Sequence, residues 1–122
     1  MSEVLLQVMN IPERGELRIS VDLTVQINIS AEEARRKAHR FVSDKVSYLM
    51  GGESPTLLLA DQQVLWRVPI MMTYPSYGRL GTVGAIDVSA ETGKMLISDS
   101  TIRELQDNGK ALGDRFTSKT ET

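Results

Sequence analysis

The chain has 122 residues, 41% of them hydrophobic, with 14 basic and 16 acidic side chains and a formal net charge of −2. That length suits one domain with a real core, and the near balance of charge excludes any global attraction to nucleic acid or an anionic membrane. The absence of cysteine excludes disulfides, thiol catalysis and cysteine-ligated metals.

Residues 1–15 read as an N-terminal segment. Within it, residues 2–10 fit either a short helix or an edge strand, and Pro12 and Gly15 mark a turn. The apolar run at 4–9 is too short for a signal-peptide core, and no stretch reaches the roughly 18 apolar residues of a membrane span. The reading is a soluble, cytoplasmic protein with no membrane partner.

The clearest pattern follows. Leu17, Ile19, Val21, Leu23, Val25, Ile27 and Ile29 alternate with Arg18, Ser20, Asp22, Thr24, Gln26 and Asn28. Period-2 alternation predicts a strand with one buried and one wet face. Its length, residues 16–29, exceeds that of an ordinary strand. It therefore bends, or it outruns its own sheet and pairs with another subunit.

Ser30 and Glu33 form an S-x-x-E capping box. Ala34, Ala38, Phe41, Val42, Val46 and Leu49 then follow helical spacing, and Gly51-Gly52 supplies a stop, which predicts one long helix over 31–50. Strands are predicted at 56–60, from Val64 to Tyr74, at 82–88 and at 95–98. Turns fall at 61–63 and 89–94, and a loop at 75–81. Pro69 marks an edge or a bulge, because it cannot donate to a ladder. Residues 100–112 read as a short C-terminal helix weakened by Gly109 and Gly113, and 117–122 as a flexible tail.

Motifs that carry chemistry are scarce. With His39 the sole histidine, a zinc site built on two or three histidines is impossible. Gly78, Gly81 and Gly84 lie between strands with no lysine and read as hairpin glycines, not a phosphate loop. Glu91-Thr92-Gly93 has Glu where the aspartic-protease triplet needs Asp, and reads as a turn. Of the cations Arg35, Arg36, Lys37 and Arg40, three have acidic partners four residues away, Glu32–Arg36, Glu33–Lys37 and Arg40–Asp44, so an outer helix face is favoured over an anionic-polymer patch, and nucleic acid is an unlikely partner. Trp66 shares a face with Val64, Val68 and Ile70 and reads as core. The loop around Tyr74, Tyr77 and Arg79 is rich in residue types favoured at binding hot spots.

Three segments together resemble the PepSY domain family: the helix opening Ile29-Ser30-Ala31-Glu32-Glu33-Ala34, the strand Leu65-Trp66-Arg67-Val68-Pro69, and the hairpin from Gly84 through Asp87 and Thr92-Gly93 to Leu96. The resemblance spans residues 29–98. It implies a cystatin-like shape, a helix packed on an antiparallel sheet, with no catalytic residues to carry over and a role in modulating proteases. The chain departs from the pattern in its strand at 16–29 and in the residues after Asp87.

The resulting expectation is a single α+β domain over 16–116, an antiparallel sheet of four to five strands packed on one long helix. It acts as a non-enzymatic binding module for a protein partner or for itself, as a homodimer through strand 16–29. Binding residues are Tyr74, Tyr77, Arg79, Arg67 and Asp87, with no catalytic residue, cofactor or metal. The alternative is a small-molecule-binding protein or an enzyme with a site between sheet and helix, using Asp87, Arg67 and Tyr74.

Overall fold

The computed structural model describes residues 4–6, 13–20, 22–60 and 62–120, the last four through their backbone alone. The elements run β1 (Val4–Leu6), α1 (Ala31–Lys45), β2 (Met50–Gly52), β3 (Thr56–Ala60), β4 (Gln63–Tyr74), β5 (Gly78–Ser89), β6 (Met95–Leu96) and α2 (Asp99–Thr120). The fold is α+β.

Helix α1 begins where the capping box places it. The Ser30 hydroxyl accepts from the Glu33 amide at 3.1 Å, and Glu32 and Glu33 occupy the first turn, where the helix dipole favours carboxylates. Ala34, Ala38 and Val42 are fully buried, and their small size lets the helix approach the sheet closely. The helix ends at Lys45, short of the expected 50. Gly51 and Gly52 are therefore not its stop. They form β2, which folds back along the helix: a Cβ on Gly51 would sit 2.8 Å from the His39 ring, and one on Gly52 would sit 3.0 Å from the Arg35 carbonyl. Close approach, rather than chain termination, is what requires glycine there. The Gly52 amide donates to His39 Nδ1 at 3.1 Å, which gives the single histidine a structural task.

Among the described residues the sheet has six strands and is mixed. Its main path is β1-β3-β4-β5-β6, with β1 parallel to β3 and the other pairings antiparallel. The expected four to five antiparallel strands become six because Val4–Leu6 adds a short parallel strand and Met50–Gly52 a short antiparallel one, although the described residues of 16–29 add none. Strands β3 and β2 share one edge of β4, β3 against residues 63–67 and β2 against 70–72. Pro69 falls in the gap between them. Its carbonyl accepts from the Glu53 amide at 2.9 Å, so the side where a proline lacks its N–H meets no ladder.

The β4–β5 hairpin is the spine. Strand β5 starts at Gly78, so the connection is only residues 75–77, closed by the Tyr77 amide on the Tyr74 carbonyl and by Gly78 at φ +77°. Two register shifts interrupt the hairpin, and each sets an extra β5 residue, Val83 and Leu80, against the core. Val64, Trp66, Val68, Ile70 and Met72 from β4 join Ile86 and Val88 from β5 in the main cluster with Ala34, Ala38, Val42 and Leu105. Both helices thus cover one face of the sheet.

Helix α2 is the longer of the two, 22 residues against 15, where a short C-terminal helix was expected. A local cap starts it: the Thr101 amide donates to the Ser98 hydroxyl and the Ser98 amide to Thr101 Oγ1. Gly109 and Gly113 lower its intrinsic propensity, but tertiary packing overrides that. Both are buried, and a Cβ on Gly109 would sit 2.7 Å from Met50 Cε. On the sheet side, a Cβ on Gly84 would sit 2.8 Å from Leu105 Cδ2. Glycines on both partners set the helix close to the hairpin. Asn108 completes the contact by donating to the Val83 carbonyl, which the bulge removes from the ladder, at 2.7 Å. The backbone of 117–120 continues this helix where a flexible tail was expected.

The strand expected over 16–29 is not in the sheet across its described residues, 16–20 and 22–29; Val21 lies outside them. Residues 16–20 and 22–28 adopt no regular structure, and Leu17, Ile19, Leu23 and Ile27 are 45–51% exposed. Only its end is held. The Asn28 and Ile29 amides both donate to the Ala90 carbonyl, and Val25 and Ile29 pack on the core. Alternation specifies which side chains share a face, but a strand also needs a ladder partner, and among the described residues none pairs with these. Helix–sheet packing around Ile70 and Ile86, not this segment, forms the core.

Candidate functional site

Arg67 and Asp87 face each other across the β4–β5 register. The guanidinium grips the carboxylate through Nε at 2.8 Å and Nη2 at 2.9 Å, and the hydrogen bond from Asp87 raises the Arg67 pKa. The pair uses two of the guanidinium's five N–H donors, and the Arg67 side chain stays 43% exposed. It sits on the sheet face away from the helices, whereas Tyr74 packs against the helix-side core. Arg67, Asp87 and Tyr74 therefore do not converge on a pocket between sheet and helix.

The hairpin tip gathers aromatics. Tyr74 and Tyr77 have ring centroids 6.4 Å apart, and Tyr77 lies 6.2 Å from Phe116 of α2. Arg79 is held in an ion pair by Glu53. Tyr74, Tyr77 and Arg79 thus have partners, Phe116 and Glu53, that the sequence pattern did not suggest. Both lie far away along the chain and meet the tip only through β2 and α2. The tip is chiefly a clamp between the hairpin and its neighbours, although Tyr77 keeps 48% of its surface exposed.

A groove of about 300 Å³ lies between the end of α1 and α2, bordered by Val46, Met50, Met72, Tyr74, Lys110 and Asp114. Among the described residues no buried side-chain polar atom lacks a partner, and no group of three metal-ligating acids or histidines forms. The basic helix face is largely spoken for. Arg35 is bidentate on Glu32 at 2.6 and 2.8 Å, Arg36 lies 3.9 Å from the same carboxylate, and Lys37 donates to the Gly93 carbonyl at 2.6 Å. The Arg35 hydrogen bond holds the Glu32 carboxyl below its ordinary pKa and raises that of Arg35. Lys37 thus meets a backbone oxygen instead of Glu33, which turns to the Ser30 hydroxyl.

The feature without an internal role is the segment before α1. Among the described residues, 16–20 and 22–27 make no backbone hydrogen bond, and Leu17, Ile19, Leu23 and Ile27 stand half in water, while Val25 packs on the core. Unpaired backbone beside exposed β-branched and leucine side chains is the chemistry of strand addition. No helix among the described residues is long and apolar enough to cross a membrane.

Comparison with known proteins returns no match, whether to family models, to curated proteins or to solved structures.

Proposed function

We propose that this chain is a non-enzymatic protein-binding or regulatory module of the cytoplasm, and that it docks through residues 16–27. The observation that carries the reading is the exposed, unpaired apolar alternation of Leu17, Ile19, Leu23 and Ile27. A partner that adds a strand there would satisfy the free backbone groups and bury that row together. The finer likeness to a PepSY or cystatin-like domain belongs to the same reading. Its support is a helix opened by the Ser30 cap lying across the β4–β5 hairpin, with the Thr92-Gly93 turn after it. The hairpin-tip residues Tyr77 and Arg79 serve as a secondary contact.

Capture from the source cell's lysate, comparing the natural chain with Leu23→Asp, tests the proposal. Proteins retained by the former and lost from the latter are the expected result. Identical retention by both would remove the segment as the docking element.

A second reading places a small molecule in the groove beside Tyr74, Lys110 and Asp114, whose volume lies at the lower limit for ligand sites. A ligand that raises the melting temperature, with the gain abolished by Lys110→Ala, is the outcome it expects.

A further inference from the structure

We infer that the occupant of the 16–27 segment is the same segment of a second copy, paired antiparallel about a two-fold axis at Ser20. The inference rests on the docking reading above and names its partner. In such a pair, residue i of one copy faces residue j of the other with a fixed sum i + j, and an even sum keeps the polar and apolar faces of both strands together. The segment carries three charges, Glu16, Arg18 and Asp22. A sum of 38 sets Glu16 against Asp22, and a sum of 44 sets Asp22 against itself. Both oppose like charges, which destabilises a cross-strand pair. Sums of 42 and 46 set each charge opposite a neutral residue. A sum of 40 sets Arg18 opposite Asp22, and symmetry repeats that pair on the other side of the axis. The same register brings Leu17 opposite Leu23 on the apolar face and leaves Glu16 facing Thr24.

The fold supports this geometry at the far end of each segment. Val25 and Ile29 pack on the core, and the Asn28 and Ile29 amides are tied to Ala90. The apolar face of the ribbon is thereby continuous with the core of the domain that supplies each strand. An isologous contact of this type closes on itself and builds a dimer, not a filament. Arg18, Ser20, Asp22 and Thr24 are all exposed in the single chain, so none must leave the core to pair.

The chain's lack of cysteine makes the test clean. Ser20→Cys places one thiol directly opposite its symmetry mate, whereas Thr24→Cys faces Glu16. A short bifunctional maleimide is expected to link Ser20→Cys into a dimer and to leave Thr24→Cys largely as single chains. Arg18→Asp is expected to raise the dimer dissociation constant about tenfold, with the exchange Arg18→Asp plus Asp22→Arg restoring it. Equal linking at 20 and 24, or failure of the exchange to restore dimerisation, overturns this register. A chain that stays single in light scattering at micromolar concentration overturns self-pairing altogether. If lysate capture still depends on Leu23 in that case, the docking reading survives with a different partner.

Discussion

The indole N–H of Trp66, on the helix-facing side of β4, donates to the backbone carbonyl of Ile29 at 2.9 Å. One central strand residue thereby fixes the point where the free segment enters the domain. It acts beside the Ala90 carbonyl, which takes the Asn28 and Ile29 amides, and the Glu91 carbonyl, which takes the Asn28 side chain.

Trp66→Phe keeps an aromatic in the core and removes this donor, leaving the Ile29 carbonyl without its partner. The expected loss is about 1–2 kcal/mol in urea denaturation, the range for an unmet hydrogen bond near a core plus some lost volume. Amide exchange at Asn28 and Ile29 should accelerate more than exchange in β4 itself. Uniform acceleration across the sheet would mean that Trp66 acts as packing alone.

The contact between α2 and the hairpin predicts a difference between two glycines. Gly84→Ala drives its new methyl to 2.8 Å from Leu105, which is 1% exposed. Overpacking at so closed a place costs about 1–3 kcal/mol. Gly109→Ala meets the terminal methyl of Met50, which can swing aside, and it gains up to about 1 kcal/mol of helix propensity. Its net change should be smaller than that of Gly84→Ala. Adding Leu105→Val to Gly84→Ala should recover part of the loss, and denaturation midpoints of the three variants decide the matter.

These glycines also show where the sequence stops being legible. The start of α1 is readable because a capping box is local: Ser30 and Glu33 meet within one turn. Strand β4 is readable because its alternation is long, and Trp66 falls in the core as its face implies. Gly51, Gly52, Gly109 and Gly113 look like breakers because nothing nearby along the chain reveals His39, Arg35, Met50 or Tyr74 above them. The same holds for the candidate site. Arg67 and Asp87 become partners only through the β4–β5 register, and Arg79 meets Glu53 only because β2 folds beside β4. The alternation at 17–29 states a face but no partner, so a strand in the sheet and an exposed unpaired segment are equally consistent with it.

Acid should act on the first turn of α1. Arg35 holds the Glu32 carboxyl below its usual value of 4.5 by a side-chain hydrogen bond. Because the folded pKa is the lower one, the contribution is present above the unfolded value and is lost as pH falls through the folded value. Glu32→Gln should therefore be less stable than the natural chain at neutral pH, and the difference should shrink below about pH 4.5. Glu32 is exposed and Arg35 half-buried, and solvent screens the pair, so the gap is small. A gap that widens on acidification would contradict the assigned pairing.

Two substitutions two residues apart separate the free part of the segment from its anchored end. Leu23 is 49% exposed and lies outside the core cluster, so Leu23→Asp should change the stability of the dilute single chain by no more than about 0.5 kcal/mol. Val25 is partly buried against the core cluster. Placing a carboxylate there without a partner should cost about 1–3 kcal/mol. If the alternating pattern marked a strand of the monomer's own sheet, both substitutions would strike the same buried face and both would unfold the domain. Chemical denaturation of the pair at low protein concentration discriminates between the two arrangements. A folded Leu23→Asp beside a destabilised Val25→Asp places the boundary of the domain between these residues and leaves the preceding chain free to bind.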